Sequence, residues 1–274
     1  MKRIFQSLIV ITLALSSFSG CKEDITLGIK PYSGDNAELG NETNCRLRSL
    51  KRSDGVNIGF QYDGDLVTNI SGFPGFDQLI YKGGKLIEAK NSLLPEWEIK
   101  FQNNSKNQIT GFTIKGRDGS GKLTNNSVTL KYDSNDRITD MTMDFQIIKN
   151  AKIKLEYNND GNLTTIKQQK GNKYETVLEN TGFDDLKSPF TDSPLRQIMA
   201  HFAVYNVLVG DTNYTNILCT NNPTASTIYN DLGSVTLNVE YDEQGGYASK
   251  ANISKTVNNR LKSATETYDL SCGI

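Results

Sequence analysis

Residues 157–163, YNNDGNL, contain a short copy of the pattern that decides the fold. An aromatic residue closes one strand, a polar turn follows, and an aliphatic residue opens the next strand. Gly161 suits the left-handed position of a three-residue hairpin loop. This geometry would set Tyr157 directly opposite Leu163, so the stretch predicts an antiparallel hairpin whose register is fixed at its tip.

The same pattern recurs along the chain. Further copies begin at Tyr62, Tyr81, Tyr132 and Tyr241, and a looser copy begins at Phe101. Turn lengths predict three more cross-strand pairs, which are Tyr81 with Leu86, Tyr132 with Ile138, and Tyr241 with Tyr247. In the second of these turns Asp136 must take the left-handed conformation. Each aromatic pair is expected to contribute roughly 0.2–1 kcal/mol.

The segments between the turns alternate apolar and polar residues, as in Ile153, Leu155 and Tyr157. A period of two is typical of strands with one buried face. Sequential strands separated by short turns pair with each other. The sequence therefore predicts a mainly β fold, an extended, twisted antiparallel meander of tyrosine hairpins, forming a single domain over residues 45–274.

Residues 192–209 interrupt this pattern with a helical one. Ser193 suits the N-cap, Pro194 the first helical position and Gly210 the end. Apolar residues recur at helical spacing between them. We expect a helix that covers one face or the open end of the sheet. His201 lies beside the apolar stripe and is interpreted as a packing residue, since a catalytic base would need a positioned partner.

The first twenty residues indicate export. Residues 1–20 combine a basic start, an apolar core and small residues, which is typical of a signal peptide. Phe18-Ser19-Gly20-Cys21 resembles the lipobox of bacterial lipoproteins, in which the cysteine is lipidated. The charged residues that follow resemble the signal that sends Bacteroidetes lipoproteins to the cell surface: Lys22, Glu23 and Asp24. The alternative is an ordinary secreted protein with an incidental cysteine.

Residues 21–44 are polar with little periodicity, which indicates a flexible tether between the lipid and the domain. Three cysteines remain after it: Cys45, Cys219 and Cys272. An exported protein can form disulfides, so one pair among these three is expected, and the sequence leaves the choice open. With a single histidine and no C-x-x-C motif, neither a metal nor another cofactor is predicted.

Residues 116–122, GRDGSGK, fit most of the phosphate-binding loop pattern. That loop needs a Ser or Thr next and then a helix. Here Leu123 follows, and the alternation of Val128, Leu130 and Tyr132 indicates a strand. We therefore interpret the stretch as a turn between strands and expect no nucleotide. The formal net charge of −1 gives no indication of nucleic-acid binding either.

The phrases LKYDSNDRITDM and YNNDGNLTTI resemble the tyrosine-aspartate repeats of Rhs and teneurin-type proteins. Residues 45–274 as a whole resemble a group of uncharacterised Bacteroidetes surface lipoproteins. The shared features are Pro189-Phe190, the turn Asn221-Asn222-Pro223 and the hairpin from Tyr241 to Tyr247. The resemblance implies an outer-membrane lipoprotein exposed at the cell surface, and it offers no catalytic residues to transfer.

Location and composition favour a non-catalytic binding protein, for glycans or for a partner in an outer-membrane complex. Sugar faces stack on aromatic rings, and the candidate aromatics are Phe73, Phe76 and Trp97. Core packing is the alternative for each ring.

Two other functions compete with binding. One is a structural or envelope-associated lipoprotein. The other is a hydrolase, for which Asp184, Asp185, Glu96 and Glu98 are the available carboxylates. Neighbouring carboxylates seldom form a working pair unless the fold brings them to the right separation. The Asp- and Asn-rich turns do not match the ligand spacing of a calcium loop. We therefore expect no enzymatic activity. We also expect the protein to contact the membrane through its lipid anchor.

Overall fold

The computed structural model describes residues 45–53, 55–72, 76–117, 121–146, 148–191, 195–209, 212–231, 233–257 and 260–273. The leader, Cys21, Lys22, Glu23, Asp24, the tether and Phe73 lie outside these residues. The described chain forms sixteen strands, one α-helix, α1 (Leu195–Val209), and a short 3-10 helix (Thr215–Leu218). The strands of the first half are β1 (Cys45–Arg52), β2 (Asn57–Asp63), β3 (Leu66–Ser71), β4 (Gln78–Lys82), β5 (Lys85–Lys90), β6 (Glu98–Asn103), β7 (Ile109–Arg117) and β8 (Leu123–Tyr132). Those of the second half are β9 (Ile138–Asp144), β10 (Ala151–Tyr157), β11 (Leu163–Lys170), β12 (Lys173–Lys187), β13 (Asn221–Asn230), β14 (Gly233–Gln244), β15 (Tyr247–Val257) and β16 (Arg260–Cys272).

The strands form a closed antiparallel barrel. Each strand pairs with the next along the chain, and β1 pairs with β16 from Cys45 opposite Cys272 to Arg52 opposite Glu266. A disulfide joins Cys45 to Cys272 at one end of this seam. The mainly antiparallel β prediction is confirmed, but the open meander is wrong. Pairing between the first and last strands depends on residues more than 200 positions apart, for which turn patterns carry no signal.

The tyrosine turns set most registers as expected. Tyr157 lies opposite Leu163, Tyr132 opposite Ile138, and Tyr81 opposite Leu86. Asp136 adopts a left-handed φ of 61°. The predicted Tyr241–Tyr247 pair is wrong, because Tyr241 faces Ala251 and Tyr247 faces Gln244. Gly245 and Gly246 both have positive φ, so the turn holds two residues and β14 runs past Tyr241.

The repeated tyrosines have a common role that the pairing argument missed. Four of their hydroxyls each donate to a backbone carbonyl on the preceding strand, over 2.7–3.1 Å. The bonds run from Tyr62 to Leu47, Tyr81 to Val67, Tyr132 to Ile109 and Tyr241 to Pro223. Because these tyrosines lie at or near the ends of even-numbered strands, the bonds tie successive hairpins together at one rim, which also holds Cys45 and Cys272. We call it the proximal rim.

The opposite rim, called the distal rim, is formed by the turns that follow odd-numbered strands. It includes Ser53, Leu93 and Lys170, together with the starts of even-numbered strands such as Leu123 and Lys262. This up-and-down arrangement fixes which side chains can meet at either end of the barrel.

The lumen is apolar and the outer surface is polar. In β10 the buried residues are Ala151, Ile153 and Leu155, and the exposed ones are Lys152, Lys154 and Glu156. A barrel that spans a membrane shows the reverse, with an apolar band facing lipid. The alternation thus gives this barrel an outer face suited to water. No helix in the described ranges is long and apolar enough to cross a bilayer.

Residues 188–191, 195–209 and 212–220, between β12 and β13, fill part of the lumen, and we call these described residues the plug. Every side chain of α1 from Arg196 to Val209 is buried or half-buried, as expected for a helix enclosed on all sides. Its His201 packs edge-on against Phe112 of β7 at 4.9 Å, and Gln197 accepts a hydrogen bond from the Ile109 amide. The predicted helix is therefore present over Leu195–Val209, but it lies inside the barrel instead of covering an open sheet. Ser193, Pro194 and Gly210 fall outside the described residues.

Candidate functional site

A cavity of about 480 Å³ lies in the lumen between the plug and the wall formed by β14, β15 and β16. Its volume is in the range of small-molecule sites. The exposed residues of its lining, Ser53, Lys262 and Ser263, all lie at the distal rim. The cavity thus opens at the end of the barrel opposite to Cys45. The buried or half-buried part of its lining includes Arg52, Asn216, Tyr241, Glu266 and Tyr268.

A buried polar network lies along the wall of this cavity. The Tyr268 hydroxyl donates to Glu266 Oε2 at 2.8 Å and accepts from Asn216 Nδ2 at 3.1 Å. Arg52 lies 3.5 Å from Glu266 Oε1 and donates to the Tyr214 hydroxyl at 2.8 Å. Residue Glu266 is only 3% exposed. Burying an ion pair costs desolvation energy that its attraction seldom exceeds, so this network is an unusual feature in an apolar lumen.

The neighbouring tyrosines remain protonated. Burial, and after it the Glu266 carboxylate, raises the pKa of Tyr268 well above its usual value. The same two causes, in the same order, raise the pKa of Tyr241. Both phenols therefore keep their hydroxyl protons across the physiological range. The site offers a carboxylate acceptor, guanidinium and amide donors, and two aromatic rings, which together suit a ligand with many hydroxyl groups.

The pleat of β15 and β16 extends the lumen-facing row to the rim. Ile253 lies opposite Ala264, and Lys255 lies opposite Lys262 two positions further on. Both lysines line the cavity. They occupy lumen-facing positions at the mouth, whereas lumen-facing positions nearer the middle of the barrel are mostly apolar.

The aromatic residues favoured by the sequence lie elsewhere. Phe76 is 6% exposed and its ring centroid lies 6.3 Å from that of Trp97. Trp97 is partly buried and covers Gly116, where a Cβ would come within 2.7 Å of the indole. These two rings pack mainly against the protein, so little of the Phe76 ring is accessible to a ligand.

The candidate carboxylates make structural contacts. Asp184 accepts hydrogen bonds from the Asn222 backbone and side chain, and burial raises the pKa of Asp184. Glu98 forms ion pairs with Lys100 and Lys115, and the Lys115 hydrogen bond makes the largest contribution to lowering its pKa. Asp185 follows Asp184 in β12. The contacts described for this part of the chain include no hydrogen bond or ion pair of the Asp185 side chain.

Glu96 forms an ion pair with Arg117 at 3.2 Å, so it too has a structural role. Cys219 is buried without a bridge, and burial raises its pKa to about 12. In the part of the chain that the structure describes, no three Asp, Glu, His or Cys side chains come together as metal ligands. Arg117 also pairs with Leu123 across β7 and β8, so a strand follows the glycine-rich stretch, as predicted.

The sequence reasoning missed Arg52, Glu266 and Tyr268. One signal was present, because Ala264, Glu266, Tyr268 and Leu270 alternate with polar residues along β16, of which Thr267 and Asp269 are exposed. A carboxylate in the row that should face the core marks a position needing a buried partner. Arg52 could not be assigned to it without the closed seam between β1 and β16.

Comparison with known proteins identifies the fold of this chain but does not assign the chain to a family. No known protein family and no curated protein matches the sequence. Among solved structures, a porin-like protein from Bacteroides vulgatus aligns with 82% of this chain and 98% of its own, at 8% identity and a TM-score of 0.47. A porin-like protein from Bacteroides uniformis aligns with 83% of this chain and 95% of its own, at 15% identity and a TM-score of 0.52. The chain therefore shares its barrel fold with the porin-like protein from Bacteroides uniformis.

Proposed function

We propose that this protein is a lipid-anchored, non-catalytic binding protein of the outer membrane that takes a saccharide into the luminal cavity. The observation that carries the proposal is the buried network of Arg52, Glu266, Tyr268 and Asn216 in the wall of an open cavity. Acidic, amide and guanidinium groups bind sugar hydroxyls, and the neighbouring tyrosine rings offer faces on which a sugar ring can pack.

The position of the cavity is consistent with the proposed anchor. Lipidation at Cys21 would connect the membrane, through the tether, to the proximal rim at Cys45. The cavity opens at the distal rim, so it would face away from the membrane. The fold shared with a porin-like protein of Bacteroides fits an outer-membrane location. A pore function is less well supported, because the plug occupies the lumen and the outer surface is polar.

A hydrolase is also less well supported. Glycosidases generally use two carboxyl groups about 5–9.5 Å apart across the scissile bond. Among the described residues that line the cavity, Glu266 is the single carboxylate. Binding without cleavage is therefore the function that this lining favours.

Calorimetry with the mature protein in detergent, titrated with a panel of oligosaccharides, tests the proposal. We expect saturable binding that Glu266→Gln weakens about tenfold, which corresponds to about 1.4 kcal/mol. Glu98→Gln removes a carboxylate on the outer surface and should leave the affinity unchanged. Trp97→Ala tests the alternative aromatic surface. Binding that responds to Trp97→Ala and ignores Glu266→Gln would place the ligand outside the cavity.

Lipidation needs its own test. Mass spectrometry of the membrane fraction should find an acylated N-terminal peptide that begins at Cys21. A mature chain that begins elsewhere without lipid would refute the anchor while leaving the cavity open to ligand.

A subunit of an outer-membrane complex is the second candidate. Large apolar side chains are exposed at the distal rim, with Leu93 82%, Leu261 69% and Leu123 58% exposed. Exposed apolar residues mark contact with a partner where they form a continuous patch. If this function holds, crosslinks from the distal rim to one outer-membrane protein should disappear in a Leu93→Ser, Leu261→Ser variant. Crosslinks that persist in the variant would argue against a contact through these leucines.

A further inference from the structure

The strands that form the cavity wall present a layer of aliphatic side chains. On the inward-facing rows of β14, β15 and β16, Val239 lies opposite Ile253, and Ile253 lies opposite Ala264. All three line the cavity, and Val239 and Ala264 are only half-buried. We call these three residues the aliphatic layer. Their side chains offer carbon atoms to a ligand and no hydrogen-bonding group.

The next layer of the wall, two residues further from the distal rim, is polar. Tyr241 lies opposite Ala251, Ala251 lies opposite Glu266, and Glu266 lies opposite Arg52. Side chains two residues apart on a strand point to the same face and are separated by about 7 Å. That separation is close to the width of one sugar ring. A single ring in the cavity can therefore contact both layers at once.

The plug residue Asn213 also lines the cavity, but its amide is bonded within the protein. Its Nδ2 donates to Asn180 at 3.0 Å and to Ser226 at 2.8 Å. Its Oδ1 accepts a hydrogen bond from the Thr215 backbone amide at 2.9 Å. Burying a hydroxyl group without a hydrogen-bond partner costs free energy. A ligand hydroxyl at the aliphatic layer would thus lose its bonds to water without a replacement from Asn213 or from the aliphatic side chains.

We propose that the cavity selects a 6-deoxy sugar, whose methyl group packs on the aliphatic layer while its ring hydroxyls reach Glu266 and Asn216. This inference rests on the proposed saccharide function and specifies the class of sugar. A 6-deoxy sugar carries a methyl group where an ordinary hexose carries a hydroxymethyl group. The methyl group gains free energy when it is buried against Val239, Ile253 and Ala264, whereas the hydroxymethyl group would bury its hydroxyl there.

The test uses pairs of sugars that differ in one hydroxyl group. The pairs are L-fucose with L-galactose, L-rhamnose with L-mannose, and D-fucose with D-galactose. Each sugar is titrated by calorimetry into the mature protein in detergent. We expect at least one 6-deoxy sugar to bind about tenfold more tightly than its partner, which corresponds to about 1.4 kcal/mol.

Variants of the aliphatic layer test the cause of this preference. Val239→Thr keeps the shape of the side chain and adds a hydroxyl that can pair with a hydroxymethyl group, so the preference should largely disappear. Val235→Thr is the matched control, because Val235 occupies the same inward-facing row of β14 outside the cavity lining that the structure describes. The control should keep the preference. Glu266→Gln should weaken both sugars of a pair alike, since the ring hydroxyls that reach Glu266 are common to both.

A second variant guards against loss of the fold. Val239→Ala adds no polar group, and it should weaken binding of the 6-deoxy sugar more than binding of its partner, because it removes only contacts with the methyl group. Circular dichroism of each variant shows whether the barrel is intact.

The outcomes separate the two proposals. Equal affinity within every pair, or a preference that both Val239→Thr and Val239→Ala leave unchanged, would overturn the 6-deoxy assignment while saccharide binding stands. The same holds if none of the six sugars binds although an oligosaccharide of the wider panel does. If the wider panel fails as well, both proposals are refuted.

Discussion

The disulfide between Cys45 and Cys272 should make the largest single covalent contribution to stability. It joins residues 227 positions apart, so in the unfolded chain it closes a loop that includes nearly the whole domain. The loop-entropy relation gives about 5 kcal/mol at 25 °C for a loop of that length. We therefore expect Cys45→Ser, Cys272→Ser to lower the free energy of unfolding by up to about 5 kcal/mol.

The folded barrel should survive this change. The ladder between β1 and β16 continues from Arg46 opposite Ser271 to Arg52 opposite Glu266 without the sulfur bridge. The loss should thus come mainly from the greater freedom of the unfolded chain, with little change in the folded structure. Far-ultraviolet circular dichroism of the variant in the absence of denaturant should match that of the original protein.

Urea unfolding with and without reductant measures the effect. The oxidised protein should unfold at a clearly higher midpoint than the reduced one, and the double-serine variant should show no response to reductant. Cys219→Ala is the control, because Cys219 is buried and unbridged and its removal should leave the response intact. A reductant-insensitive midpoint in the original protein, or a mapped bridge that includes Cys219, would refute the reasoning.

Three further predictions concern a tyrosine turn, the tryptophan and the half-buried histidine. Tyr132→Phe removes the 2.7 Å hydrogen bond to the Ile109 carbonyl, so urea unfolding should show a loss of about 1 kcal/mol; an unchanged midpoint would contradict the proposed link between hairpins. Gly116→Ala places a Cβ 2.7 Å from the Trp97 ring, so we expect a loss of about 1–3 kcal/mol and altered tryptophan fluorescence. Adding Trp97→Leu should recover much of that stability, and no recovery would mean that the clash lies elsewhere. Burial lowers the pKa of His201 from 6.5 to about 4, so between these values the unfolded chain takes up a proton that the folded chain does not. The free energy of unfolding should therefore fall by roughly 2–3 kcal/mol as pH drops through this window, and His201→Gln should remove that slope; an original protein with a flat profile there would show that His201 is not held neutral by burial.

Local features of the fold were predictable from sequence because hairpin turns are local. The left-handed Asp136 and the pairs at Tyr157, Tyr132 and Tyr81 follow from turn length alone. The predicted pairing of Tyr241 with Tyr247 was wrong because Gly245-Gly246 forms a two-residue loop, whereas the sequence also allows a longer loop. A short glycine-rich turn can specify a hairpin without specifying its register.

The closed barrel and the cavity could not be predicted from the sequence, for a different reason. Arg52 and Glu266 meet only because β1 and β16 pair, and neither residue stands out in its own segment. Likewise, Lys255 can be recognised as a cavity residue only when the plug is known to leave a space beside β15 in the lumen. A site assembled from distant strands can be predicted only when the topology is known. The aromatic candidates Phe76 and Trp97 were chosen from composition alone, and in the structure their rings pack together.

Because β1 pairs with β16, the order of the strands around the barrel is circular. This order does not depend on the position of the chain ends. The Cα atoms of Cys45 and Cys272 are 4.0 Å apart, so a short linker could join them. New ends at Gly83 and Gly84 would then leave the strand order around the barrel intact, since exposed turns tolerate such cuts. New ends at Gly171 would instead place the start of the chain at the distal rim. If the proposed lipid anchor were attached there, the mouth of the cavity would face the membrane instead of pointing away from it.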